Sequence, residues 1–109
     1  MENHEFEKRR EIRIEERDLN ENLKHLFYSE IFQKVKVDVR NISENGVGIK
    51  LYWPHNDLNK KKVTLFSGDD GIKVTGKVKY VKNDGKYSSI AGLELAQNKI
   101  LTAYKDATS

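Results

Sequence analysis

The chain has 109 residues, enough for one domain around one core, with 37% hydrophobic and 34% charged residues and a formal net charge of +3. It contains no cysteine, which excludes a disulfide framework, a thiolate zinc site and a cysteine nucleophile together. No apolar run reaches the roughly 18 to 20 residues of a membrane-spanning helix, and Met1 to Phe6 has no hydrophobic signal region, so a soluble cytoplasmic protein without membrane insertion is expected.

The first element is a mixed-charge arm. Four of the five arginines, Arg9, Arg10, Arg13 and Arg17, fall within the first seventeen residues, whereas the remaining positive charge is almost all lysine. Arginine offers a flat fork that fits phosphate oxygens or the O6/N7 edge of guanine, while lysine is a hydrated point charge. Before Ile14 only Phe6 and Ile12 are apolar anchors, too few to offset the entropy of ordering the segment. Residues 1–14 are therefore expected to form a flexible arm, and residues 15–109 a single folded domain.

The stretch from Asp18 to Ile31 fits two periods. Asp18 with Glu21 resembles a capping box, and Leu19, Leu23, Leu26, Phe27 and Ile31 share one helical face. Leu23, His25 and Phe27 also alternate as a strand would, so helix and strand both stand. From Lys34 the period is two: Val35, Val37 and Val39 face one way and the charges the other. Asn41 to Gly46 is dense in turn formers, and Gly46 is expected at positive φ. Alternation resumes with Val47, Ile49 and Leu51, breaks at Pro54 to Asp57, and returns with Val63 and Leu65.

A longer strand places Ile72, Val74, Val78 and Tyr80 on one face, with Lys73, Thr75, Lys77 and Lys79 opposite. Asn83 to Lys86 is a hairpin turn leading into a partner strand from Tyr87 to Leu95. From about residue 97, Ile100, Leu101 and Tyr104 take helical spacing. Short strands at this spacing give a mainly β fold, a small antiparallel barrel or sandwich with a short C-terminal helix.

Signatures of catalysis are missing. His4, His25 and His55 are far apart in the chain, Ser43 lacks a nucleophile elbow, and Gly85-Lys86 lacks the leading glycine of a phosphate loop. No metal or cofactor is expected, and a binding module is. Two motifs suit that role: Arg9-x-x-x-Arg13, and Asn41-x-Ser43-x-x-Gly46 between two strands. An amide, a hydroxyl and a tight turn can address a base edge or phosphate, and an arginine pair can close over the same ligand with bidentate contacts.

With these two motifs in this order, the chain resembles the PilZ family of cyclic di-GMP receptors. Further support comes from Gly76 to Val81 and Ile90 to Leu95, which look like the family's late strands. The resemblance implies a six-stranded antiparallel β-barrel with a C-terminal helix, and cyclic di-GMP as ligand. It implies that Arg9 and Arg13 grip the guanine edges and phosphates, that Asn41 and Ser43 contact a guanine, and that Gly46 keeps the turn open. Lys8, Arg10 and Tyr80 are second-rank ligand positions, Tyr80 as a base-stacking ring or equally as part of the barrel wall. Lys8 stands where members holding a stacked ligand dimer often have arginine, which leaves stoichiometry open. The expected protein is a bacterial, cytoplasmic, non-enzymatic receptor or adaptor that passes its signal to an unidentified protein partner. Two rivals are a small barrel binding RNA or single-stranded DNA and a PilZ-like adaptor without nucleotide. Lys73, Lys77 and Lys79 are expected to have few aromatic neighbours on their face, which disfavours nucleic acid.

Overall fold

The computed structural model describes residues 13–30, 33–52, 58–69 and 71–108. Seven strands lie among the described residues: β1 (Arg13–Glu15), β2 (His25–Glu30), β3 (Gln33–Ser43), β4 (Gly46–Leu51), β5 (Lys62–Phe66), β6 (Lys73–Asn83) and β7 (Ser89–Leu95). Two helices accompany them, α1 (Glu21–Lys24) and α2 (Lys99–Thr108). The strands run β3-β2-β5-β6-β7-β4, and β4 returns to pair with β3, closing a six-stranded barrel in which every pairing is antiparallel. β1 is an extra strand laid on β3. No described helix is long and apolar enough to cross a membrane.

Alternation decides which side chains fill the barrel. Leu26, Val37, Val39, Ile42, Leu51 and Leu65 are all fully buried, and α2 adds Ile100 and Leu101 to the same core. Each such side chain contributes roughly 1.5–3 kcal/mol of transfer free energy, which is what holds short, charge-rich strands in register.

The ambiguous segment uses both of its periods in turn. A 3-10 turn over Glu16–Asp18 leads to α1, and β2 follows directly. The helix cap is Asn20, whose side chain accepts the Leu23 N–H at 3.1 Å, rather than Asp18. On β2 the inward residues are Leu26 and Tyr28, so Phe27 and His25 face outward, contrary to an apolar Leu23-His25-Phe27 face. Arg13 and Ile14, counted with the arm in the sequence reading, lie in β1, and Ile14 is only 6% exposed opposite the buried Ile42.

Two β-bulges revise the expected faces. On β3 the register shifts between Val39 and Asn41, so Arg40 and Asn41 both leave the core while Ile42 re-enters it. The strand therefore continues through Ser43, and the turn shrinks to Glu44-Asn45. On β6 the shift lies between Val78 and Tyr80, which turns Tyr80 outward, away from Val74 and Val78. The hairpin after β6 forms with Gly85 at φ 122°, but Asn83 ends β6, the loop covers residues 84–88, and β7 starts at Ser89 rather than at Tyr87. In the turn after β5, Asp69 accepts bonds from the Ser67 hydroxyl at 2.6 Å and the Gly71 N–H at 2.9 Å, which hold its carboxyl below the usual carboxylate range.

Candidate binding face

The pairing of β1 with β3 sets Arg13 opposite Ser43 and Glu15 opposite Asn41. Directly opposed residues share a face, so Arg13, Ser43 and Asn41 all stand on the outer wall of the barrel. Arg9, Lys8 and Arg10 lie outside the described residues.

From Asn41 a transverse row continues across the sheet through Gly48 and Gly92 to Tyr80. The two glycines make a floor, and their neighbours occupy the space that side chains would fill. A Cβ on Gly48 would stand 2.8 Å from Asn41 Oδ1, and one on Gly92 would stand 2.8 Å from Tyr80 Cζ. Asn41 and the Tyr80 ring thus lie down on the strand backbones, and Tyr80 is still 48% exposed. That leaves a flat aromatic surface open for stacking. Arg40, made prominent by the bulge, sends its guanidinium to 3.9 Å from Asp84, although β4 and β7 separate their strands in the sheet. One row further along, Asp38 bonds His25 Nδ1 at 2.7 Å and accepts the Tyr52 hydroxyl, while Lys50 lies over the Tyr52 ring.

Gly46 is not at positive φ, contrary to expectation; among the described glycines only Gly85 is. Its role is close approach. A Cβ at Gly46 would stand 2.7 Å from the Leu93 carbonyl oxygen of β7 and 3.6 Å from Ser43 Oγ. The turn is held from behind by Asn98, whose Nδ2 donates to the carbonyls of Ser43 at 2.6 Å and Gly46 at 3.0 Å. Asn98 Oδ1 accepts the Leu101 N–H at 3.1 Å, so one side chain caps α2 and clamps the motif turn.

Arg13, Asn41, Ser43 and Gly46 are therefore brought together, and Tyr80 joins them on the same wall. Arg40, Gly48, Gly92 and Asn98 were missed. An asparagine just before a helical pattern is a legible cap signal for Asn98, but its second set of partners, more than fifty residues away, is not. The arrangement offers an arginine fork, an amide, a hydroxyl and an aromatic plane, a donor set for an anionic ligand with planar bases. Among the described residues no group of three or more His, Asp or Glu side chains could hold a metal ion.

Gly92→Ala tests the floor. Its Cβ would displace the Tyr80 ring, an outer side chain free to swing, so the stability loss should stay near the roughly 0.5 kcal/mol of a surface substitution. Binding at the face should fall clearly more. A large drop in melting temperature would show that Tyr80 is part of the scaffold. Comparison of the chain with protein families, with curated proteins and with solved structures gives no match.

Proposed function

We propose that this chain is a cyclic di-GMP receptor, a bacterial cytoplasmic adaptor of the PilZ type that binds its ligand rather than transforming it. The observation that supports this most is the β1–β3 register. It sets the second arginine of Arg9-x-x-x-Arg13 beside Ser43, some thirty residues later in the chain, so Arg13 shares a face with Asn41 and Ser43 of the second motif. In this reading Arg13, with Arg9 from the preceding arm, takes the guanine edge and phosphates. Asn41 and Ser43 contact the base from the barrel wall, and the Tyr80 ring stacks. Closure of the arm over the ligand then creates a composite surface for a protein partner, through contacts made only in the bound state.

Calorimetric titration tests it. Cyclic di-GMP should bind at least tenfold more tightly than cyclic di-AMP, because an arginine fork meets two acceptors on guanine and a donor on adenine, a difference of roughly 1–3 kcal/mol per bidentate pair. Arg13→Ala should remove most of that preference while shifting the melting temperature little, since Arg13 is exposed. Equal affinity for both dinucleotides would refute the readout. Absence of binding to either would mark an adaptor that works without nucleotide.

A further inference from the structure

The outer wall over β2, β5 and the first halves of β3 and β6 has a composition of its own. Phe27 on β2 is the register partner of Phe66 on β5, and their rings stack with centroids 6.2 Å apart. Both rings are half-buried and face outward. Lysines surround them: Lys36 is opposite Phe27, Lys73 is opposite Phe66, and Lys34 Nζ lies 5.6 Å above the Phe66 ring. Of Lys73, Lys77 and Lys79, expected to have few aromatic neighbours, Lys73 has Phe66 opposite it, because Phe66 ends β5 pointing outward.

The same wall continues along β5 and β6. Thr64 and Thr75 share a hydroxyl bond of 2.7 Å, and beyond them Lys62 and Lys77 are directly opposed. Like charges at opposed positions repel, and neither lysine has an ion-pair partner among the described residues. They flank an open groove of about 470 Å³ that Thr75, Asn45 and one carboxylate, Glu94, also line, Glu94 being the register partner of Lys77 across β6 and β7. Glu94 turns its carboxylate to Lys79 at 3.6 Å, so the groove keeps a net positive charge; Asp38 is bonded to His25 and Tyr52, and Asp69, in the turn after Phe66, to Ser67 and Gly71.

We infer that this wall is a second binding surface and that its ligand is single-stranded nucleic acid. The lysines follow a phosphate backbone without reading sequence, the Lys62–Lys77 pair holds one phosphate in its groove, and the phenyl rings stack unpaired bases. An acidic protein segment would use the same charges but has no need of the stacked rings, so the rings decide between the two.

The test is fluorescence anisotropy with a labelled twelve-nucleotide oligo(U). With one phosphate each on Lys34, Lys36 and Lys73 and one shared by Lys62 and Lys77, affinity should fall about 50-fold between 50 and 200 mM salt, at a slope of roughly −0.7 per phosphate. The double variant Lys62→Gln, Lys77→Gln should weaken binding about tenfold and flatten the slope by about 0.7 while melting no earlier than the parent. Phe66→Leu, which keeps an apolar side chain against Phe27, should cost about tenfold through lost stacking. Polyglutamate of matched charge should fail to displace the oligonucleotide. Absence of binding at 50 mM salt would overturn the inference. So would binding that Phe66→Leu leaves unchanged and polyglutamate displaces, which would mark a site for acidic protein.

Discussion

Asn98→Ala should lower stability by about 2–4 kcal/mol, the sum of a lost helix cap near 1 kcal/mol and two partly buried carbonyls left without their donor. For a domain of this size that is a fall in melting temperature of roughly 10–20 °C. The two halves of the loss can be separated. Asn98→Asp keeps the acceptor for the Leu101 N–H but cannot donate to the Ser43 and Gly46 carbonyls, so it should retain α2 and still loosen the motif turn. Circular dichroism would follow the helix, and ligand titration the turn. A cost below about 0.5 kcal/mol, a typical surface value, would show that Asn98 does not clamp the turn.

Gly46→Ala should be the most damaging change within the motif, although the backbone there is not left-handed. The new Cβ would stand 2.7 Å from a main-chain carbonyl of β7, and main chain in a closed barrel cannot swing aside as a side chain does. Relief requires moving β4 away from β7, against a register that runs from Gly46–Glu94 to Leu51–Ser89. A cost of about 1–3 kcal/mol is expected, as for overpacking in a tight interior, together with loss of ligand binding. Denaturant unfolding of the ligand-free variant measures it. A variant as stable as the parent would show that the two strands can part at that end, and that Gly46 acts on the ligand alone.

The strands were legible because their inward residues are aliphatic and strictly alternate: Val35 to Val39, Val47 to Leu51, and Val63 with Leu65 all appear where periodicity puts them. What periodicity cannot show is a slip in its own phase. The bulges at Arg40 and beside Tyr80 each insert one residue, and every face assignment beyond them changes. That is why Asn41 and Ser43 were expected in a turn and lie on a strand, and why Tyr80 was grouped with the core valines. Between Asp18 and Ile31 both periods were present because the chain spends four residues as helix and the next six as strand. The Gly48–Gly92 floor was invisible for a different reason. It depends on a pairing between strands more than forty residues apart, which no local pattern encodes.

The barrel is closed, but its circumference is not equally stitched. β2 meets β5 at the single register pair Phe27–Phe66, whereas β4 meets β7 at six and β5 meets β6 at five. Native-state opening takes the least costly route, so the first breathing motion should unzip this seam and leave a curved six-stranded sheet intact on its other joints. In hydrogen exchange, the β2 and β5 amides facing each other across the seam should then exchange with a lower opening free energy than those of β4 and β7, which wait for global unfolding. The stacked phenyl rings cover that joint from outside. The barrel thus has a built-in hinge line, placed where the hydrogen-bond ladder is shortest and covered from outside by two aromatic side chains.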